Sequence, residues 1–110
     1  MIEKKNFYIN GQWIEPKNQK DLKVIDPSTE KPCAVISLGD KEDVHLAVTA
    51  AKKAFSNWGF TSKEERLKHL EKLYELYKKR WNDISEAITL EMGAPKDFSS
   101  KLQTGTGASH

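Results

Sequence analysis

The chain has 110 residues, of which 37% are hydrophobic and 31% are charged. This length allows one small domain with a modest core. Its 18 basic and 16 acidic residues leave a net charge of +2. Because the two signs are interleaved, the charge pattern indicates a solvated surface and disfavours binding to nucleic acid.

The cellular setting follows from what the sequence lacks. A single cysteine, Cys33, excludes an intramolecular disulfide framework and is typical of a reducing compartment. No apolar segment approaches the roughly 18 residues that a membrane span needs. The first residues, Met-Ile-Glu-Lys-Lys-Asn, lack the apolar core of a signal peptide. We therefore expect a cytoplasmic protein that makes no membrane contact.

Residues 1–38 are rich in strand signals. Two β-prone triplets, 7–9 and 12–14, flank Asn10-Gly11, a dipeptide that tolerates the positive φ angles of a type I′ hairpin turn. Two further short strands are expected at 23–25 and 34–36, around the turn that begins with Asp26-Pro27. The pattern predicts a small antiparallel element.

A first helix is expected after Asp40, which is a suitable N-cap with acidic residues in the following turn. Gly59 is expected to end it. Apolar residues recur at helical spacing and predict one buried face; they are Val44, Ala47, Val48, Ala51, Phe55 and Trp58.

A second helix is expected to begin at a capping box formed by Ser62 and Glu65. Its apolar stripe is spaced alternately three and four residues apart, which predicts one helix of about seven turns that ends at Gly93 and Pro95. Bulky aromatic residues in the stripe disfavour a coiled coil and favour an antiparallel helix pair. The stripe consists of Leu67, Leu70, Tyr74, Tyr77, Trp81, Ile84 and Ile88.

Residues 96–110 predict the start of a third helix, which contains Leu102 and runs into Gly105-Thr106-Gly107. These glycines superficially resemble a phosphate-binding loop. Such a loop needs a strand before it and a helix after it. No strand is expected before Gly105, so we do not expect a dinucleotide site there.

Several short motifs follow one another in an order that is more specific than any one of them. They are Tyr8-Ile9-Asn10-Gly11-Gln12-Trp13, Val24-Ile25-Asp26-Pro27-Ser28-Thr29, Glu42-Asp43-Val44, Glu65-Arg66 and Glu91-Met92-Gly93-Ala94-Pro95. In this order the chain resembles the N-terminal segment of the NAD(P)-dependent aldehyde dehydrogenase superfamily. Asp26-Pro27 stands where the family often has Asn-Pro, and Ala94 stands where it often has lysine.

The resemblance implies an α/β fold with a Rossmann-like cofactor domain. This segment would supply a β-hairpin and short strands (1–38), two antiparallel helices (39–95) and the start of a third helix (96–110), all within one domain. It also implies a full-length, homo-oligomeric enzyme that oxidises an aldehyde to a carboxylic acid with NAD or NADP. The family's catalytic cysteine and glutamate and its dinucleotide site have no counterpart here. We therefore expect this segment to be an inactive scaffold that binds no cofactor alone.

Two sets of side chains gain candidate roles from the resemblance. Some family members hold a monovalent cation through two carbonyls and one carboxylate, and the matching positions are Val24, Ile25 and Glu91. Oxygen ligands suit a hard cation, but the alternative of a solvated last-turn residue is slightly favoured for Glu91. Members also line the substrate tunnel from the helix after the Gly-x-Pro motif, which points to Leu102 and Thr106; Leu102 is equally suited to a core.

The remaining candidates have plainer alternatives. Cys33 has no cationic neighbour or helix N-terminus in the sequence to activate it, so a structural role is favoured over a nucleophile. His45 and His69 belong to no cluster with metal-ligand spacing and are expected at the surface. A different function is also open, namely a free-standing helical module that recruits a partner through Tyr77 and Trp81. A nucleic-acid-binding helix-turn-helix is disfavoured by the acidic residues of the long helix.

Overall fold

The computed structural model describes all 110 residues, Met1–His110. By the packing of its Cα atoms the chain divides into two compact units, Met1–Val24 with Pro32–Thr61 and Ile25–Lys31 with Ser62–His110. No helix combines the length and apolar character needed to cross a membrane. The elements are β1 (Ile2–Lys4), β2 (Phe7–Ile9), β3 (Gln12–Ile14), β4 (Asp21–Asp26), β5 (Lys31–Ser37), α1 (Lys41–Trp58), α2 (Lys63–Lys79), α3 (Trp81–Met92), α4 (Lys96–Phe98), a π-helical turn (Ser99–Gln103) and α5 (Thr104–Ser109).

The predicted N-terminal hairpin is confirmed. Strands β2 and β3 pair antiparallel, with Phe7 opposite Ile14. Between them Asn10 and Gly11 have φ angles of 54° and 76°, as a type I′ turn requires. The rings of Tyr8 and Trp13 lie across the pair with their centroids 5.1 Å apart.

The other strands form a second sheet, in the order β1-β5-β4. Strands β4 and β5 confirm the two predicted strands and are longer than expected. The expectation of a wholly antiparallel element is wrong, because β1 was not predicted and pairs parallel to β5, with Ile2 opposite Ala34. All three residues of β1 are exposed, so this strand is defined by backbone pairing and leaves no apolar pattern in the sequence.

The predicted start of α1 is confirmed by its hydrogen bonds. The Asp40 carboxylate accepts the backbone amides of Glu42 and Asp43 at 2.8 and 3.2 Å. Asp43 returns the bond by accepting the Asp40 amide at 3.0 Å, which completes a capping box. Its other oxygen accepts the Lys17 amide at 3.0 Å. At its other end α1 is capped by Gly59, as expected.

The expected buried face of α1 is wrong for this chain. Phe55 is 67% exposed, and Val44, Val48 and Trp58 are also exposed. The apolar residues Leu67 and Leu70 of α2 are equally uncovered. Helical periodicity identifies the apolar side of a helix, but it does not show which element covers that side. The large apolar side chains on these faces are therefore mostly exposed in this chain.

The single seven-turn helix is also wrong, because the helix breaks between α2 and α3 at Arg80 (φ −102°, ψ 17°). No glycine or proline marks the break in the sequence. Of the expected capping box, the structure forms one half, in which the Ser62 hydroxyl accepts the Glu65 amide at 3.1 Å. The expected helix end at Gly93 and the helical start at residue 96 are confirmed.

The N-cap of α1 predicts a pH dependence. The hydrogen bond from Asn18 Nδ2 to Asp40 Oδ2 (2.6 Å), with help from the amides of the first turn, holds the pKa of Asp40 below its ordinary value. A lowered folded-state pKa stabilises the cap above the unfolded pKa of about 3.9, and this contribution is lost as the pH falls through the folded-state pKa. We expect exchange of the Glu42 amide to accelerate in that range. Asp40→Asn retains a capping side chain and should exchange independently of acid protonation. The measurement is hydrogen exchange of the Glu42 amide as a function of pH, corrected for intrinsic rates. The same pH dependence in the unmodified chain and in Asp40→Asn would contradict the prediction.

Candidate functional site

Two of the sequence motifs meet in the second unit. Gly93, which follows α3, has a φ angle of 74°, in the left-handed region that favours glycine. A Cβ atom at this position would lie only 2.8 Å from Cγ of Pro27. Glycine is therefore required twice, once for the backbone angle and once for the close approach of the Asp26-Pro27 turn.

The turn itself is held by Asp26. Its Oδ1 accepts the hydroxyl and the amide of Ser28 at 2.6 and 2.8 Å, and its carbonyl accepts the Glu30 amide at 2.8 Å. The hydroxyl bond from Ser28 is the largest of the contacts that lower the pKa of Asp26. The carboxylate is therefore ionised at neutral pH and occupied in shaping the turn.

The candidate cation ligands belong to β4 and to α3. Val24 and Ile25 are consecutive in β4, and the Val24 carbonyl also accepts the Cys33 thiol at 3.5 Å. Glu91 is exposed in the last turn of α3, where no basic residue offsets the negative end of the helix dipole. The chain has no group of three or more His, Cys, Asp and Glu side chains that could hold a metal ion. Two carbonyls and one carboxylate are suited to a hard monovalent cation, and this assignment stays a prediction.

A buried network of hydroxyl groups joins α3 to the third helical stretch. Ser99 and Thr104 are fully buried, with no exposed surface. Thr104 Oγ1 lies 2.8 Å from Ser85 Oγ and 2.9 Å from the Ser99 carbonyl. Ser99 Oγ in turn accepts the Thr89 hydroxyl at 2.8 Å. Each buried hydroxyl of this network therefore has a partner, as burial of polar groups requires.

Two aromatic side chains complete this network. The Tyr77 hydroxyl donates to the Thr104 carbonyl at 3.0 Å, and Trp81 Nε1 donates to the Ser100 carbonyl at 3.1 Å. Their rings meet edge to face, with centroids 6.0 Å apart. Tyr77 also passes so close to Gly107 that a Cβ there would collide with its hydroxyl. Tyr77 and Trp81 are therefore half-buried within the chain and form no open apolar patch.

The two candidate tunnel residues lie together on the outer side of the third helical stretch. Leu102 is 56% exposed, and Thr106 is also exposed. The Thr106 hydroxyl donates to the Leu102 carbonyl at 2.7 Å. An exposed apolar side chain next to a hydroxyl whose proton is already engaged presents a mostly apolar surface to a ligand.

The remaining candidates occupy structural or surface positions. Cys33 is half-buried in β5, where its thiol donates to Val24, and it has no base partner in the hydrogen-bond network. His45 and His69 are exposed on α1 and α2. The Gly105-Thr106-Gly107 segment belongs to helix α5, so it forms no phosphate-binding loop.

Sequence reasoning missed the hydroxyl network. Ser85, Ser99 and Thr104 carry no apolar signal, and a search for apolar periodicity passes over them. The available signal was the pair Ser99 and Thr104, spaced five residues apart on a helix whose apolar residues are few.

Comparison with known proteins agrees with this geometry. The sequence model of the aldehyde dehydrogenase family matches residues 13–109. A 3-succinoylsemialdehyde-pyridine dehydrogenase from Pseudomonas sp. is 44% identical, covering all of this chain and 23% of the relative. A putative aldehyde dehydrogenase from Staphylococcus epidermidis is 40% identical, covering 94% of this chain and 22% of the relative.

Solved structures give the same result. The aldehyde dehydrogenase from Bartonella henselae superposes with a TM-score of 0.98 and is 54% identical, covering all of this chain and 23% of that one. A mutant of aldehyde dehydrogenase C from Pseudomonas syringae, complexed with NAD+ and octanal, gives a TM-score of 0.92 at 36% identity, covering 94% and 21%.

The chain belongs to the aldehyde dehydrogenase family and corresponds to its N-terminal segment. It has the mixed α/β structure of that region, as the resemblance implied. It spans less than a quarter of the length of these relatives.

Gly93→Ala tests the junction between the turn and the end of α3. The left-handed backbone alone should cost about 1–3 kcal/mol, and the contact with Pro27 should add to it. Gly105→Ala is the matched control, because its Cβ would meet only Trp81, at 4.0 Å. Alanine in a helix should be stabilising there, by up to about 1 kcal/mol. Urea titrations followed by circular dichroism should shift in opposite directions; equal shifts would contradict the assignment.

Proposed function

We propose that the chain is a scaffold segment of an NAD(P)-dependent aldehyde dehydrogenase that oxidises an aldehyde to a carboxylic acid. The observation that carries this proposal is the superposition of the entire chain on an aldehyde dehydrogenase with a TM-score of 0.98. The complex of a related structure with NAD+ and octanal supports the cofactor and the substrate class. When bound, the nicotinamide cofactor accepts hydride from the substrate.

The exposed apolar faces support the scaffold role. A helix with uncovered side chains such as Val44, Val48 and Phe55 presents the kind of apolar patch that marks an interface. In this proposal the apolar sides of α1 and α2 pack against the rest of the family fold. The completed enzyme would then bury them, as the helical periodicity of the sequence predicts.

In this proposal the chain supplies structural support and part of the substrate entrance. It supplies no group that makes or breaks a bond of the substrate. Its cysteine thiol is engaged with a backbone carbonyl and has no neighbouring base. The nucleophile, the base that activates water and the dinucleotide site therefore belong to other parts of the enzyme. Leu102 and Thr106 would line the entrance through which the aldehyde reaches them, with Leu102 as the apolar contact for the substrate chain.

The other elements of the proposal rest on the family. The enzyme would act as a homo-oligomer in the cytoplasm on an aldehyde substrate, without nucleic-acid or membrane partners. A charge balance of 18 basic and 16 acidic residues supports the latter part, because nucleic-acid binding draws on clustered positive charge.

The alternative of a recruitment module loses its main support. That function needs Tyr77 and Trp81 to form an open surface for a partner. Both side chains instead donate hydrogen bonds to the third helical stretch. Tyr74 remains exposed, but Lys78 lies over its ring, 4.6 Å from the centroid.

A grafted enzyme tests the scaffold role. These 110 residues would replace the matching segment of the Pseudomonas syringae aldehyde dehydrogenase, hereafter the grafted enzyme. We expect it to reduce NAD+ with octanal with a kcat/KM within about a hundredfold of the parent, since imperfect packing shifts substrate contacts by fractions of an ångström. The 110-residue chain alone should form no NADH with any aldehyde, because it lacks the catalytic groups.

The controls distinguish folding from function. Circular dichroism and NAD+ binding of the grafted enzyme would establish that it is folded. A folded grafted enzyme that oxidises neither octanal nor shorter aldehydes would contradict the proposal. Aldehyde-dependent NADH formation by the chain alone would contradict the scaffold role directly.

We also propose that the carbonyls of Val24 and Ile25 and the carboxylate of Glu91 hold a monovalent cation in the completed enzyme. The close packing of Pro27 on Gly93 supports this, because it draws the end of β4 toward the last turn of α3. The uncompensated helix C-terminus adds negative potential there. The cation would stabilise the junction without taking part in the chemistry.

Glu91→Gln in the grafted enzyme tests the cation site. A cation at about tenfold its dissociation constant should stabilise the folded state by about 1.4 kcal/mol. The melting temperature should therefore be higher in sodium or potassium chloride than in tetramethylammonium chloride of equal ionic strength. We expect Glu91→Gln to remove this difference and Glu86→Gln, at another exposed position on α3, to retain it. A difference that survives in Glu91→Gln would contradict the assignment.

A further inference from the structure

The third helical stretch contains one irregularity, and it lies at the buried network. Ser99 and Thr104 are five residues apart, and both are fully buried. In a regular α-helix, positions five apart point about 140° away from each other, because each residue turns the helix by about 100°. The π-helical turn Ser99–Gln103 removes this divergence. The Thr104 amide donates to the Ser99 carbonyl, five residues back instead of four.

Proton counting shows that Thr104 is the centre of the network. Ser85 and Thr104 have one hydroxyl proton each, but three short contacts connect Ser85 to Trp81, Ser85 to Thr104 and Thr104 to Ser99. Two protons can serve these contacts in three ways. Ser85 donates to Thr104 and Thr104 to Ser99, or Thr104 donates to Ser85 and Ser85 to the Trp81 carbonyl, or each hydroxyl donates to a carbonyl, Ser85 to Trp81 and Thr104 to Ser99. In every arrangement the Thr104 hydroxyl donates, either to the Ser99 carbonyl at the start of the π-helical turn or to Ser85 of α3.

The π-helical turn sets the orientation of α5, the helix that follows it. A π-helical turn contains one residue more than an α-helical turn. If it narrowed to α geometry, the residues beyond it would rotate by about 100° relative to α4. Leu102 and Thr106, four residues apart, would stay neighbours, but the side on which they lie would turn relative to α4. The hydroxyl network therefore controls which face of this helix is presented outward.

We propose that Thr104, with Ser85 as its partner, is a positioning residue that sets the shape of the substrate entrance by holding the π-helical turn open. This proposal rests on the proposed function, in which Leu102 and Thr106 line that entrance. Thr104 itself makes no substrate contact, since it is fully buried behind them. Its effect should be confined to aldehydes long enough to reach the entrance.

Thr104→Val in the grafted enzyme tests this role, because valine keeps the shape of threonine and removes the hydroxyl. Loss of one well-placed apolar contact should raise the KM for octanal about tenfold, with kcat and the KM for acetaldehyde nearly unchanged. Thr104→Ser restores the hydroxyl and should restore the KM. Thr61→Val is the matched control, because its hydroxyl donates only to the Trp58 carbonyl in the loop after α1; it should leave both constants unchanged.

A merely structural role would give a different result. Partial unfolding would lower the active fraction, and so kcat, at unchanged KM. An unchanged KM for octanal, an equal rise for acetaldehyde, or failure of Thr104→Ser to rescue would each overturn the proposal. If the unmodified grafted enzyme were inactive, the proposed function would fail instead.

A crystal structure of the Thr104→Val grafted enzyme then decides the positioning role, whatever the activity. We expect an α-helical turn in place of the π-helical turn and a rotated Thr106. A retained π-helical turn would overturn the proposal.

Discussion

Asp43 and Thr104, one in each compact unit, are more buried than any apolar side chain of this protein. Only Val35 and Ala94 are buried among the apolar residues, each with 7% of its surface exposed. Burial of a polar group is costly unless it is fully hydrogen-bonded, and both groups meet this condition. Asp43 accepts two backbone amides, and Thr104 joins α3 to the helix that follows. Directional bonds therefore order each unit where an apolar core would normally do so.

The small number of buried apolar side chains is what we expect of a segment that packs against the rest of a longer family member. Apolar burial is the main favourable term in folding, and here most apolar side chains on α1 and α2 are uncovered. The relatives are more than four times longer than this chain, and they offer a body on which these faces could pack. A segment organised by hydrogen bonds inside and by apolar faces outside is suited to a scaffold role, in which its own shape is set locally and its stability comes from docking.

The two candidate site regions illustrate different ways of fixing geometry. At the end of α3, a steric contact between Gly93 and Pro27 fixes the approach of two motifs that are 66 positions apart. At the π-helical turn, a hydroxyl bond from Thr104 fixes the direction of a helix face. The Gly93 contact leaves no room for a Cβ atom. The Thr104 contact depends on its hydroxyl group. In each region a side chain of proposed function is exposed next to the constrained position. This side chain is Glu91 near Gly93 and Leu102 near Thr104.

Local features whose cause lies within a few residues could be predicted from the sequence. These are the Asn10-Gly11 turn, the Asp40 cap and the end of α3 at Gly93, because backbone angles and caps depend on the residue type at one position. The order of its motifs also determined the family. Four features appeared only in the folded structure, namely the parallel strand β1, the break at Arg80, the exposure of the apolar faces and the π-helical turn. The pairing of β1, the exposure of the apolar faces and the network at the π-helical turn depend on which groups lie opposite in space, and residue spacing does not record that. The break at Arg80 is marked by no glycine or proline in the sequence.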